Sequence, residues 1–241
     1  MTKDGVSDIE PLLRKLKRFE RLSEADQMAL RSLGLKAYDV AARMDLIQEG
    51  DQPQDGFLIL QGFACRFKLR RKGQRTILAY LVPGDYSDPA SGLLSRMDHG
   101  IATLSACRLS RIEPVHMQQL LERPVLSRAL RKAALVDEAI AREWLVNVGR
   151  RMAVERVAHL LCEVHARLQV VGLVTNDGYD LQITQDQLGD TLGLSSVHIN
   201  RTLQVLRFRG LVKLYGKHLT ISNLRQLQAV AEFSSEYLHL K

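Results

Sequence analysis

Cysteine is scarce in this chain, with three in 241 residues. An odd number at wide spacing describes no disulfide framework, so a reducing compartment is expected. No run of 18 apolar residues occurs, which argues against a spanning helix, and the opening MTKDGVSDIEPLL lacks the apolar core of a secretory leader. The expectation is a soluble, cytoplasmic protein with no membrane partner. Also missing are a Gly-rich phosphate loop, a Gly-x-Ser-x-Gly elbow, a zinc signature and any compact Ser/His/acid or Cys/His grouping. These absences point to a binding protein and not an enzyme. Acid is missing from one stretch too. From Arg201 to Lys217 the chain carries Arg201, Arg207, Arg209, Lys213 and Lys217 and no Asp or Glu. A formal net charge of +7 suits a polyanionic partner.

What is present is clearest at residues 185–206, QDQLGDTLGLSSVHINRTLQVL, which read as a helix-turn-helix. Two helices cross closely only if one is very small at the contact, and Gly189 is placed for that. Gly193 then supplies the left-handed turn. Leu188, Leu192, Leu194, Ile199, Leu203 and Leu206 fall on the inner face. Thr184 and Ser195 stand as N-caps, and Gln187 completes a capping box with Thr184. Facing outward near the start of the second helix are Ser196, Val197, Asn200 and Arg201, the candidate base readers. Arg201 suits a guanine, Asn200 an adenine, and Val197 a thymine methyl. Thr184, His198, Arg207 and Lys217 are the candidate phosphate contacts. GLVKLYGKHLTIS alternates as two short strands about Gly216–Lys217, the shape of a wing, with Lys217 at its tip.

Upstream, residues 1–34 read as short helices, one opened by Ser23–Glu24–Ala25–Asp26. From about Lys36 to Ile112, short strands broken every eight to twelve residues predict an all-β unit. Its basic run from Arg66 to Arg75 reads as a solvated hairpin, with a second nucleic-acid or polymerase contact as the alternative. After Pro124 a long amphipathic helix is expected, its seam formed by Leu126, Leu130, Ala134, Asp137, Ala141 and Trp144, with Gly149 as a hinge. A further helix over about Met152–Val170 opens the last part. His159, Cys162 and His165, three apart on that helix, spread around it, so no metal site is expected.

The motif ITQDQLGDTLGLSSVHINRTLQVL with GLVKLYGKHLTI resembles the Crp–Fnr family of bacterial transcription factors. Looser matches lie at Glu49–Asp51, Phe57–Gly62 and Val82–Asp85, so the resemblance covers roughly residues 20–222. It implies an α+β protein. A cyclic-nucleotide-binding-like β-roll (a jelly roll) with N-terminal helices would occupy residues 1–124, and a dimerisation helix with its hinge 125–149. A winged helix-turn-helix would follow over 150–222, then a helical tail over 223–241. It implies a homodimer reading an inverted repeat in double-stranded DNA, with RNA polymerase as a further partner. The sensor pocket would involve Gly84, Asp85, Tyr86, Ser87 and His99. Members that bind cyclic nucleotides carry a Gly-Glu-Leu segment and an Arg-Ser pair. Here Pro89 stands at the glutamate position of Asp85–Tyr86–Ser87–Asp88–Pro89–Ala90, and no Arg-Ser pair occurs in Met97–Ile101, so cyclic AMP is not expected. No cysteine precedes Cys65, so no iron–sulfur cluster is expected either. The effector stays open among haem (Cys65, Met97 or His99), a thiol and another small ligand. The competing reading is a module whose helix-turn-helix makes protein contacts. Val197 stands where the family often carries glutamate, which alters the expected half-site.

Overall fold

The computed structural model describes residues 8–33, 35–52, 55–71, 73–87 and 95–240. Helices α1 (Glu10–Phe19) and α2 (Glu24–Arg31) lead, and Ser23 caps α2 through a capping box with Asp26. Seven strands follow: β1 (Ala37–Val40), β2 (Asp45–Ile47), β3 (Gly56–Gln61), β4 (Ala64–Leu69), β5 (Arg75–Leu81), β6 (Gly100–Thr103) and β7 (Cys107–Ile112). They form two antiparallel sheets, in the orders β1-β7-β3 and β2-β6-β4-β5. Ile59, Cys107 and Leu109 from one sheet meet Ala64, Leu81 and Ile101 from the other, filling the roll. Because side chains alternate along a strand, Leu58 and Leu60, the neighbours of Ile59, point out of the roll into a second core shared with the helices.

After α3 (Pro114–Leu121), helix α4 runs from Pro124 to Arg150, about 40 Å of rise. Its start is set by a proline in the first turn, where the missing N–H costs nothing. Three residues expected at a partner seam lie elsewhere. Leu126, Leu130 and Trp144 are buried in the chain's own core. The helix has two apolar faces, and the one left uncovered carries Leu135, Ala141, Leu145 and Val148, with Leu145 75% exposed. Ala134 is half-buried beside it. Asp137 is taken up by Arg66 of β4 at 3.3 Å, so Arg66 is not part of a solvated hairpin. Gly149 is not the hinge. The helix passes through it and breaks at Arg151 and Met152, both extended.

Helix α5 (Ala153–Val170) begins the last part, with β8 (Gly178–Asp180), α6 (Gln185–Leu192), α7 (Ser196–Phe208), β9 (Val212–Tyr215), β10 (His218–Ile221) and α8 (Leu224–Ala231). The sheet order is β8-β10-β9, so the expected two-stranded wing has a third strand. Past α8, a 3₁₀ turn (Glu236–Leu238) packs on α4.

Phe233 and Tyr237 of this tail close over His159 of α5, with ring centroids 5.2 and 6.1 Å away. The imidazole is 1% exposed, and its Nε2 lies 3.2 Å from Glu143 without hydrogen-bond geometry. Burial, then the Arg151 guanidinium, push its pKa down to about 4, against the pull of Glu143. The native state therefore refuses a proton that the unfolded chain takes up from about pH 6.5 downward. That contribution is complete above 6.5 and is lost as pH falls toward 4, at up to about 1.4 kcal/mol per pH unit. Buried His165 acts in the same direction, and Glu163, whose pKa burial raises, acts in the opposite one. Subtracting the stability–pH curve of His159→Gln from that of the parent is expected to leave a slope confined to that window. A flat difference contradicts the assignment.

Candidate nucleic-acid interface

The α6–α7 pair forms as its local chemistry dictates. A Cβ placed on Gly189 would lie 2.5 Å from the Leu194 carbonyl oxygen, so only glycine allows this approach. Gly193 caps α6 at φ 66°, ψ 34°. The Thr184 hydroxyl accepts from the Gln187 N–H at 3.2 Å, while the Thr184 N–H donates to Gln187 Oε1 at 2.8 Å. The Ser195 hydroxyl accepts from the His198 N–H. Leu188, Leu192, Ile199, Leu203 and Leu206 are buried between the helices, joined by Thr202, and Leu194 packs beside them.

On the outer face of α7, Val197 is 60% exposed, Asn200 and Arg201 are exposed, and Ser196 is half-buried. The structure thus brings Val197, Asn200 and Arg201 together on one exposed surface and sets Ser196 at its edge. Arg201 has no ion pair among the described residues. Asn200 is engaged by Gln185 and Gln204, two side chains the sequence reading passed over. Gln204 lies one helical turn beyond Asn200, a spacing visible in the sequence, whereas Gln185 arrives from α6 by tertiary packing.

His198 faces a groove of about 740 Å³ that α7 shares with Met152, Val154 and Glu155 of α5, and Val197 and Arg201 line the same groove. Thr184 is exposed at the α6 N-terminus and Arg207 on α7. Lys217 is exposed in the turn opened by Gly216 at φ 60°. The Lys217 carbonyl accepts from the Leu181 N–H at 2.8 Å, which ties the wing to the body.

The reader is anchored on the roll through α6. The Thr191 hydroxyl donates to the Gln187 carbonyl at 2.8 Å, so the Tyr80 hydroxyl, 2.6 Å away, donates to Thr191. Gln187 Nε2 donates to the Leu104 carbonyl at 3.2 Å, and Arg75 approaches Asp190 at 3.8 Å. Below them lies a buried charge cluster. Asp85 accepts from Lys15 of α1 at 2.7 Å, from Arg167 of α5 at 2.6 Å and from the Val82 N–H at 2.7 Å. Burial alone would raise its pKa, but Lys15 and Arg167 outweigh burial and hold the carboxyl below the usual range. Arg167 also donates to the Tyr80 carbonyl and pairs with Glu163 at 3.3 Å. Glu163 accepts from Trp144 Nε1 at 3.0 Å and from the Tyr237 hydroxyl at 2.9 Å.

The expected sensor-pocket residues therefore separate. Asp85 serves this cluster, and Gly84 backs onto α1, where an added Cβ would lie 2.8 Å from the Pro11 carbonyl oxygen. Tyr86 bridges to Leu58 and lays its phenol over Gly56. The Ser87 hydroxyl accepts from the Phe57 N–H, and its carbonyl accepts from Arg66 at 2.6 Å. His99 pairs with Asp98 at 2.7 Å. Asp88, Pro89 and Ala90 lie outside the described residues, as does Lys72 of the hairpin. Arg66, neutralised by Asp137 and bonded to Ser87, offers no free charge to a cyclic phosphate. Burial pushes the thiols of Cys65 and Cys162 up to about 12 and that of Cys107 to about 11. At neutral pH all three are held as buried, protonated thiols.

A β-roll joined by one long helix to a winged helix-turn-helix, whose exposed face carries arginine and asparagine, defines a DNA-binding transcription regulator. Residues 155–230 match the Crp-like helix-turn-helix domain and residues 40–124 the cyclic nucleotide-binding domain. A probable transcriptional activator of Rhizobium leguminosarum bv. viciae is 32% identical over 78% of each chain. The transcriptional activator protein FnrL of Cereibacter sphaeroides is 26% identical over 77% of this chain and 76% of its own. The structure of FixK2 from Bradyrhizobium japonicum shares the fold with a TM-score of 0.72 at 20% identity, covering 83% of this chain and 98% of FixK2. The chain belongs to the Crp–Fnr family of transcription regulators. No helix among the described residues is long and apolar enough to cross a membrane.

Proposed function

We propose that the protein is a cytoplasmic homodimer that reads an inverted repeat in double-stranded DNA, acting by binding and not by catalysis, without cyclic AMP. The observation that carries this reading is the surface of α7, where Asn200 and Arg201 stand exposed and Arg201 makes no ion pair among the described residues. Ser196 and Val197 complete the base-reading set, with Thr184, His198, Arg207 and Lys217 against phosphate. Two-fold symmetry then sets the half-sites about one helical turn apart. Pro89 in place of the ribose-binding glutamate and the Arg66–Asp137 pair support independence from cyclic nucleotide. RNA polymerase is the further partner included in this proposal.

The seam is the exposed stripe Leu135–Ala141–Leu145–Val148, in place of Leu126, Leu130 and Trp144. Burying Leu145 from both subunits contributes roughly 3–6 kcal/mol to association, at about 1.5–3 kcal/mol per side chain. Leu145→Asp is expected to weaken the dimer by on the order of 10²–10⁴-fold in analytical ultracentrifugation and to abolish binding to the symmetric site. An unaltered protein that binds this site as a monomer contradicts the proposal.

A further inference from the structure

Three carboxamides form a chain across the reading face. Asn200 Nδ2 donates to Gln185 Oε1 at 3.2 Å, and Gln204 Nε2 donates to Asn200 Oδ1 at 3.0 Å. Gln185 is the first residue of α6, and Asn200 and Gln204 are successive turns of α7. We propose that Gln185 and Gln204 are positioning residues for base readout, orienting the Asn200 carboxamide to read adenine and coupling that readout to a phosphate contact by Gln185. The inference rests on the DNA-reading function above.

An isolated asparagine amide can rotate by half a turn and exchange donor for acceptor. Between these two neighbours it cannot do so alone. Nδ2 would then face the Gln204 amide nitrogen and Oδ1 the Gln185 carbonyl oxygen, two contacts of like polarity. In the observed sense each polar atom of Asn200 keeps one valence, a second N–H on Nδ2 and a second lone pair on Oδ1. Adenine needs both in the major groove, with N7 accepting from Nδ2 and N6–H donating to Oδ1. All three amides could turn together, so the ends of the chain set its direction. With Gln185 Oε1 committed to Asn200, its Nε2 is left to donate. In a helix-turn-helix the first helix crosses the DNA backbone, and a donor there meets phosphate oxygen favourably. The reversed chain would present a carbonyl oxygen to phosphate instead. Backbone contact and base choice are thus joined through one chain of hydrogen bonds.

Side chains that only donate or only accept can lock or reverse this chain. Gln204→Lys keeps a donor toward Asn200 Oδ1, whereas Gln204→Glu supplies only an acceptor. Gln185→Glu keeps the acceptor toward Asn200 Nδ2, whereas Gln185→Lys reverses it. The test measures competitive binding of the full-length variants to the preferred duplex and to its single-base-pair changes. Added charge shifts affinity for every duplex alike and leaves the ratios unchanged. Gln204→Lys and Gln185→Glu are expected to keep the preference for adenine at the Asn200 base pair. Gln204→Glu and Gln185→Lys are expected to reduce it by on the order of ten- to a hundredfold, leaving discrimination at the Arg201 base pair intact. Equal discrimination by the locking and reversing variants overturns the proposal alone. A parent protein with no preferred duplex overturns the DNA-reading function and the proposal together.

Discussion

Arg201→Ala is expected to cost the protein most of its preference for its own site. A guanidinium that donates twice to a guanine is worth about 1–3 kcal/mol of discrimination, and a two-fold symmetric complex uses it twice. The loss is therefore roughly 2–6 kcal/mol, from about thirtyfold to on the order of 10⁴-fold in affinity for the preferred duplex. Arg201 is exposed and makes no ion pair among the described residues, so its removal leaves no buried group unsatisfied and the fold intact. Binding to random DNA is expected to fall only severalfold. Lys217→Ala, at the wing tip, should instead weaken both duplexes alike and lower the salt slope by about one unit per subunit. Fluorescence titrations against both duplexes at several salt concentrations separate the two patterns. Equal losses on both duplexes for Arg201→Ala would place base reading elsewhere.

The second large effect concerns the link between roll and reader. Arg167→Met leaves Asp85 with one cation and Glu163 with none, both carboxylates being nearly inaccessible. Breaking a buried pair from one side costs about 3–5 kcal/mol, because the orphaned charge stays buried. The double variant Asp85→Asn/Arg167→Met is expected to recover part of that loss. Asp85 titrates below the ordinary carboxylate value, so its contribution is present above about pH 4 and is lost as pH falls through the lowered native value. Arg167→Met should weaken this acid-side dependence, with Lys15 still beside Asp85. Trp144 is the sole tryptophan and bonds Glu163, so its emission reports the same cluster. Denaturation of Arg167→Met at pH 7 with unchanged midpoint and unchanged emission would contradict the description of this cluster.

The helix-turn-helix was legible because its determinants are local: Gly189 at the crossing, Gly193 past the helix end, Thr184 and Ser195 as caps. Each acts over a few residues, so the sequence displays them directly. The anchoring contacts were not legible, since Tyr80–Thr191 and Asp85–Arg167 join distant segments through neutral or common residue types. Asp85 was misplaced for an instructive reason. A Pro-Gly-Asp turn marks a loop equally well whether its acid faces a ligand or an outer helix. In α4, helical periodicity gave a single seam, and only packing shows that Leu126, Leu130 and Trp144 belong to the chain's own core. Gly149 resembled a hinge by composition, yet the extended backbone falls at Arg151 and Met152.

In the proposed complex two recognition helices read one symmetric site. Binding sites for the purified full-length protein are to be selected from random duplex DNA, with and without cyclic AMP. The expected result is a single inverted repeat in both arms, its half-sites about one helical turn apart. No enriched sequence in either arm, with binding absent even at low salt, would contradict the account and leave the helix-turn-helix as a protein-contact surface.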